Sequence, residues 1–407
     1  MQPSTILTRC LSEAFGSIHQ STVPAIGKAT DAIGAGNWLT LIAIARRWPG
    51  AERVAAPLKA ADRLLRSPVL TQAHRILYGA MCRWLIRQRH PLIAVDWSDL
   101  KADGSFKLLR ASLAVRGHAI TLWEEVHPQT TAGSVPVECQ FLRTLATLLP
   151  DTCQPILLTD GGFRRPWFRQ VQELGWHYVG RVRGTVTMQA RSRSTPDTEA
   201  WQSRSHVQKQ ARVGRSLELG PYWLGRRHCL ATRLVIYAGH PQGRHALTLR
   251  GQRRADSTGN QAARAGREPW MLATSLPVHD WSAAQVRRCY ARRMTIEQAF
   301  RDLKSSAFGA GFEHSLTHKR GRLGNLLLLF ALTQFAAWLV GLCDHLRGQP
   351  HRLATCRHPR RRQYSLWRTG MEILAHPDWG PSASVLRSFL HEVADTCPPA
   401  LSTQVTK

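Results

Sequence analysis

Three apolar runs follow one another along the chain: LIAVDWSDL at residues 92–100, FKLLRASLAV at 106–115 and AITLWEEVHP at 119–128. Turn residues separate them, at Ala102-Asp103-Gly104 and Arg116-Gly117-His118. Short strand-like runs joined by tight turns predict an antiparallel meander of three strands.

After the third run, helix-like and strand-like segments alternate along the chain. VECQFLRTLATLLP (137–150) and PWFRQVQELG (166–175) have helical periodicity, whereas PILLTD (155–160) and HYVGRVRGTV (177–186) are typical of buried strands. The resulting order, β-β-β-α-β-α-β, predicts an α/β fold of the RNase H-like type, in which helices flank a mixed sheet.

Residues 1–88, which precede these strands, are predicted to be helical because apolar residues recur every three to four positions. The basic residues on or between these helices indicate either a small DNA-binding domain or a solvated face; they are Arg46, Arg47, Lys59, Arg63 and Arg66. We divide the rest into a first core segment (89–184), a basic β insertion (185–268), a second core segment (269–345) and a C-terminal region (346–407).

The insertion is strongly basic: residues 181–267 hold 17 Lys and Arg against four acids. Its strand-like run CLATRLVIYAG (229–239) is followed by a polar, glycine-rich stretch at 249–266. In the second core segment we expect one long helix from Ser282 to Ser305 and an apolar helix at 323–343. The apolar helix is at the lower length limit for a membrane span, so a buried core helix is the better interpretation, and we expect no membrane partner.

The whole chain is basic too, with 55 Lys plus Arg, 27 Asp plus Glu and a net charge of +28 over 407 residues. A polyanion neutralises such charge, which indicates a nucleic-acid partner. The nine cysteines form no C-x-x-C pair, which argues against a zinc ribbon and suits reduced thiols. The N-terminal stretch lacks the pattern of a signal peptide. We therefore expect a cytoplasmic, nucleoid-associated protein.

Two aspartates end apolar strands: Asp96 closes LIAVD and Asp160 closes ILLTD. Carboxylates at strand ends can be aimed into a cleft, although an aspartate before a turn is often only a turn residue. Asp99 competes with Asp96, but it would lie on a different side of a continuing strand.

A third carboxylate lies in the pattern Tyr290-x2-Arg293-x3-Glu297-x6-Lys304. At about 100° per residue on one continuous helix, these four residues share a stripe about 60° wide beside the apolar face. Either the stripe lines a cleft or it is an ion-pair ladder on a solvated face. Three separated acids could hold two divalent ions, and such ions supply the activated water and the stabilised leaving oxygen that phosphodiester cleavage needs at neutral pH.

These motifs resemble bacterial insertion-sequence DDE transposases that cut and paste through a DNA hairpin and carry a tyrosine–arginine–glutamate–lysine signature. The likeness spans roughly residues 60–375 and is strongest in IAVDWSDL, LLTDGGFRRPW, EPWMLATSLP and YARRMTIEQAFRDLKS. Within this family, the branch at the ends of the tetracycline-resistance composite transposon is the most similar.

The resemblance implies that Asp96, Asp160 and Glu297 are the catalytic triad and hold two Mg²⁺ ions, for which Mn²⁺ can substitute. It implies DNA-binding roles for Tyr290, Arg293, Lys304 and Trp270, the last stacking on a flipped base; a core tryptophan is the alternative. The reaction would nick one strand, form and open a hairpin, and join the 3′-OH ends to target DNA.

The implied partners are double-stranded DNA, as transposon ends and as target, and further copies of the chain in a synaptic complex. Protein–protein contact there would involve the C-terminal region. Two other functions stay open: an RNase H-like nuclease or adopted transposase that cuts without mobilising DNA, and a non-catalytic DNA-binding protein.

Overall fold

The computed structural model describes residues 2–115, 118–192, 195–196, 201–240, 268–307, 309–347 and 364–395. They form two compact units. Unit 1 lies within residues 1–153 and 294–404, and unit 2 lies within residues 154–293. Both units contain helices and strands, and the strands of unit 2 pair in both parallel and antiparallel fashion.

The helical prediction for residues 1–88 is confirmed, and the structure divides this part of unit 1 into seven helices. They are α1 (Pro3–Cys10), α2 (Ser12–Gly16), α3 (Val23–Gly36), α4 (Leu41–Arg46), α5 (Ala55–Arg66), α6 (Pro68–Gln72) and α7 (His74–Leu85). Side-chain caps begin α4 and α6, since the Thr40 and Ser67 hydroxyls accept hydrogen bonds from Ala43 N and Leu70 N.

The meander prediction is confirmed: β1 (Leu92–Asp99), β2 (Phe106–Val115) and β3 (His118–Pro128) pair antiparallel in sequence order. The register sets Asp96 opposite Arg110, and Arg110 opposite Glu124. Helix α8 (Val135–Leu148) follows and packs on α7.

Unit 2 supplies the rest of the predicted alternation and the insertion. Its elements are β4 (Ile156–Thr159), α9 (Arg165–Glu173), β5 (His177–Arg181), β6 (Thr187–Ala190), β7 (Gln202–Ser203), α10 (Arg204–Gln208), β8 (Ser216–Leu224), β9 (Leu230–Tyr237), β10 (Trp270–Thr274) and α11 (Ala283–Ala291). The strand order is β4-β5-β10-β9-β8-β6-β7, with β4 and β5 parallel and the other pairs antiparallel. The glycine-rich stretch 249–266 and the turn residues Arg116 and Gly117 lie outside the described residues.

The prediction of one helix from Ser282 to Ser305 is wrong. A capping box of Ser282 and Gln285 starts α11, which ends at Ala291, and α12 (Met294–Lys304) begins three residues later. Between them Arg292 N and Arg293 N bond to the carbonyls of Cys289 and Tyr290, each at 3.0 Å. These three-residue bonds close α11 with a tighter turn, and the boundary between the units falls there.

The apolar helix is longer than predicted, α13 (Arg320–Leu346), and forms the core of unit 1. By length and composition it could cross a membrane, yet its most apolar 18-residue window is 100% buried within the structure. It packs on α3, α5 and β3, and on α14 (Leu366–Ala375) and α15 (Ala383–Asp395) of the C-terminal region. This burial confirms the prediction of a core helix.

Candidate active site

In unit 1, one face of the β1–β2–β3 meander carries Asp96, Ser98 and Arg110. Alternation along β1 puts Asp96 and Ser98 on the same side, and Arg110 shares it as the cross-strand partner of Asp96. Asp96 is half-buried where the buried run of β1 ends, and its Oδ1 accepts a hydrogen bond from Trp97 N at 2.9 Å. The strand itself continues to Asp99, which lies on the opposite side, is exposed and pairs with Lys107.

Helix α12 packs on the three strands of that meander. Its residues Glu297, Phe300 and Lys304 follow a spacing of three and four and therefore share one side. Glu297 is exposed, whereas Phe300 is buried. Lys304 Nζ donates to Ser98 Oγ at 2.7 Å, and burial lowers the pKa of Lys304. The helix that carries the predicted glutamate is thus tied directly to the strand that carries Asp96.

In unit 2, Asp160 directly follows β4 and is half-buried. Its Oδ1 accepts a hydrogen bond from Gly162 N at 2.8 Å, which turns the chain sharply away from the strand. A Cβ on Gly162 would lie 3.0 Å from Asp160 Oδ1, and one on Gly161 would lie 2.6 Å from the Arg183 side chain. The glycine pair in LLTDGG therefore leaves room for the carboxylate and the arginine.

Helix α11, which packs on strands β4 and β5, and the turn that follows it bring Tyr290 and Arg293 to the same region as Asp160. Tyr290 is 3% exposed, and Arg293 Cζ lies 5.9 Å from the centre of its ring. Burial raises the pKa of Tyr290; the charge of Asp160 adds to this rise, and Arg293 and Arg181 oppose it. An acid, a phenol and two guanidinium groups therefore interact electrostatically within unit 2.

Trp270, the first residue of β10, is half-buried beside the same tyrosine. Its ring contacts Tyr290 edge-on, with centroids 4.9 Å apart, and Tyr237 at 5.8 Å. Arg287 Cζ lies 4.8 Å from the centre of the Tyr237 ring. These contacts form an aromatic group bordered by arginines, which is the composition of surfaces on which nucleic-acid bases stack.

Sequence reasoning missed Arg181, at the end of β5. Its Nη2 donates to Glu268 Oε2 at 3.1 Å, and Glu268 also pairs with Arg183 and Arg204. Burial lowers the pKa of Arg181. Burial alone would raise the pKa of Glu268, but Arg204, Arg181 and Arg183 together lower it. An arginine closing the apolar strand HYVGR was the available signal, since the aspartates were found by the same criterion.

The structure groups the predicted site residues in two sets. Lys304 joins the strand of Asp96 within unit 1, and Trp270, Tyr290 and Arg293 join Asp160 within unit 2. The predicted stripe on one continuous helix is wrong, because Tyr290 lies on α11 while Glu297 and Lys304 lie on α12.

No three His, Cys, Asp or Glu side chains among the described residues are grouped closely enough to hold a metal ion. Asp96, Asp160 and Glu297 nevertheless offer the hard carboxylate oxygens that Mg²⁺ and Mn²⁺ prefer, so the chemistry of this donor set fits such ions.

The transposase DDE domain family matches residues 87–334, which is more than half of the chain and contains all seven predicted site residues. A comparison with curated protein sequences returned no match. Among solved structures, a piggyBac transposase synaptic complex with hairpin DNA, determined by cryo-electron microscopy, is similar with a TM-score of 0.40 and 12% identity, covering 99% of this chain and 84% of that chain.

Proposed function

Because the chain belongs to the family of transposase DDE domains, we propose that it is a cut-and-paste insertion-sequence transposase with an RNase H-like catalytic core. The observation that supports this proposal is the position of three acidic residues within the matched range, residues 87–334. One aspartate lies in β1, a second directly follows β4, and a glutamate stands on the helix packed against β1. The tyrosine–arginine–glutamate–lysine signature, and the likeness to the branch found in the tetracycline-resistance transposon, belong to the same proposal.

Asp96, Asp160 and Glu297 are proposed to hold two divalent ions, Mg²⁺ with Mn²⁺ as a substitute. Bound ions would supply activation of the attacking water and stabilisation of the leaving oxygen. Separate placement of the aspartates on β1 and after β4 lets each carboxylate be oriented by its own backbone donor, Trp97 N and Gly162 N.

Arg293, Tyr290 and Lys304 are proposed to hold DNA phosphates beside the carboxylates. The guanidinium and ammonium groups supply the charge, and the phenol supplies a hydrogen bond. Lys304 is already oriented by Ser98, and Arg293 by the ring of Tyr290. Trp270, half-buried against Tyr290, is proposed to stack on a base flipped out of the strand.

With these groups, one strand is nicked to free a 3′-OH, and that hydroxyl attacks the opposite strand to leave a hairpin. Water then opens the hairpin, and the 3′-OH ends attack a target duplex. Residues 1–88 are proposed to bind transposon ends, and the C-terminal region to contact another copy in a synaptic complex. We also propose that the protein acts in the cytoplasm at the nucleoid.

Replacing Glu297 with Gln tests the assignment, because the amide keeps the shape of the side chain but loses its charge. We expect cleavage of end DNA in Mg²⁺ to fall at least about 100-fold, roughly 2.7 kcal/mol of activation free energy. Binding of end DNA in a mobility-shift assay without metal should be unchanged.

Glu173→Gln is the matched control, since Glu173 is an exposed helical glutamate of α9 far along the chain from Glu297. Undiminished cleavage by Glu297→Gln would contradict the proposed catalytic triad. A wild-type protein that binds ends but cleaves them with neither Mg²⁺ nor Mn²⁺ would indicate a non-catalytic DNA-binding protein. One that cleaves but does not join pre-cut ends to target DNA would indicate a nuclease.

A further inference from the structure

A buried ionic group lies directly beside Asp96 in unit 1. Arg110 is 0% exposed and Glu124 is 6% exposed, although both are charged residues inside apolar strands. The register aligns Asp96, Arg110 and Glu124 in one row across β1, β2 and β3. Directly opposed residues of antiparallel strands project to the same face, so the row shares the face on which α12 packs.

Glu124 binds the guanidinium group directly, and Tyr78 fixes Glu124 in turn. Arg110 Nε and Nη2 donate to Glu124 Oε2 at 2.8 and 2.6 Å, and Tyr78 Oη donates to Glu124 Oε1 at 2.7 Å. One nitrogen of the guanidinium fork is not satisfied: Arg110 Nη1 is buried and has no hydrogen-bond partner among the described residues.

Stability alone does not account for this group. Removing two charges from water costs several kcal/mol, and well-packed apolar residues often replace a buried ion pair without loss of stability. An unsatisfied buried N–H adds a further cost of about 1–3 kcal/mol.

The contacts of the Arg110 guanidinium group indicate its role. Arg110 Cζ lies 5.1 Å from the centre of the Phe300 ring, and Lys304 Nζ lies 5.8 Å from the same centre. Phe300 is on α12, three residues after Glu297, and Lys304 is bonded to Ser98 on β1. Arg110 and Lys304 therefore both contact the Phe300 ring, and both cations are anchored on the meander.

We propose that Arg110, fixed by Glu124 and Tyr78, is a positioning residue that sets Glu297 and Lys304 of α12 relative to Asp96 on β1. Glu124 also neutralises Arg110, so that no uncompensated cation stands beside a carboxylate that must bind cations. The inference rests on the proposed function of Asp96 and Glu297. Misplacement of a catalytic group by about 1 Å can cost about 100-fold in rate, so a rigid support of this kind has a large effect.

The double variant Arg110→Met/Glu124→Leu tests the inference, because it removes both charges together and puts apolar side chains in their place. We expect it to fold and to bind end DNA like wild type, while the single-turnover rate of cleavage falls about 10- to 100-fold. The Mn²⁺ concentration for half-maximal cleavage should rise, because the two carboxylates lose their relative placement.

The matched control is Arg233→Met/Glu218→Leu. This cross-strand pair has the same chemistry, with Arg233 Nε 3.0 Å from both Glu218 carboxylate oxygens, but it lies between β8 and β9 of unit 2. Its cleavage rate and Mn²⁺ dependence should stay at wild-type values. If Arg110→Met/Glu124→Leu does not fold, Arg110→Lys replaces it, because lysine keeps the charge but loses the planar fork. We then expect a rate loss of about 10-fold with DNA binding intact.

Cleavage by the folded variant at the wild-type rate and Mn²⁺ dependence overturns the inference and leaves the proposed function standing. Failure of wild type to cleave overturns the proposed function instead. In that case calorimetric titration with Mn²⁺ alone still decides: weaker binding by the double variant supports the positioning role, and equal binding contradicts it.

Discussion

At the scale of single residues, the buried His118 faces the half-buried Asp302, and burial shifts their pKa values in opposite directions. Gln334 Nε2 donates to His118 Nε2 at 3.0 Å, so the imidazole proton is on Nδ1, which faces Asp302 Oδ2 at 3.5 Å. Trp367 stacks on the imidazole with centroids 5.5 Å apart. Burial lowers the pKa of His118 from 6.5 to about 3 and raises the pKa of Asp302 from 3.8 to about 6.

The two shifts have opposite effects on stability. The depressed pKa of His118 makes stability fall as pH drops from 6.5 towards 3, because only the unfolded chain takes up the proton. The raised pKa of Asp302 makes stability rise as pH drops from about 6 to 3.8, because only the native chain holds that proton. The contributions therefore cancel between about pH 4 and 6.

Asp302→Asn should remove this cancellation. Relative to wild type, its free energy of unfolding should fall towards low pH by up to about 1.4 kcal/mol per pH unit between pH 6 and 4. His118→Gln should show the opposite relative slope. Urea unfolding at pH 6.5, 5.5 and 4.5 measures both, and parallel curves for wild type and Asp302→Asn would contradict the raised pKa of Asp302.

At the scale of elements, helices α13 and α14 touch through their backbones. A Cβ on Gly341 would lie 1.9 Å from Leu366 O, and one on Gly370 would lie 1.7 Å from Ala337 O. Neither obstacle is a flexible side chain, so alanine at either position must push the helices apart.

Gly341→Ala and Gly370→Ala should each lower the free energy of unfolding by about 1–3 kcal/mol or more. Their effects should not add in the double variant, since one displacement of the helices relieves both contacts. Gly321→Ala, in the first turn of α13 with open space around its Cβ, is the control and should be neutral or stabilising by up to about 1 kcal/mol. Chemical denaturation measures all four variants, and wild-type stability of Gly370→Ala would be inconsistent with this packing.

At the scale of the whole molecule, the net charge of +28 makes salt-dependent DNA binding the expected behaviour. One helix concentrates this charge: Lys59, Arg63 and Arg66 are exposed on α5 at a spacing of four and three. They span roughly 10 Å at 1.5 Å per residue, the length of about three phosphates along one strand.

Replacing those three residues by Ala should reduce the slope of log K against log salt for end DNA by about 0.9 for each phosphate that is no longer neutralised, or roughly 2.7 in total. The triple variant Arg9→Ala/Lys28→Ala/Arg387→Ala removes the same charge from other exposed positions and should keep the slope near the wild-type value. Binding titrations between about 50 and 300 mM salt compare them. Equal slopes for the two triple variants would show that diffuse charge, not α5, binds the phosphates.

The sequence by itself determined the features that depend on neighbouring residues along the chain. The order β-β-β-α-β-α-β, the helical character of the N-terminal region and the buried apolar helix follow from hydrophobic periodicity and turn residues, and the structure has all of them. Asp96, where the buried run of β1 ends, and Asp160, after β4, were found in the same way. Their combined role with Glu297 stays a prediction.

The tertiary structure alone decided what depends on distant contacts. Strong helix-forming residues flank Arg292 and Arg293, so the neighbouring sequence does not indicate the break between α11 and α12. Similarly, Arg110 could not be matched to Glu124, nor Arg181 to Glu268, until strand register and chain path set their separations. A buried charge needs a partner, and the sequence shows that need, but only the folded chain selects the partner that meets it.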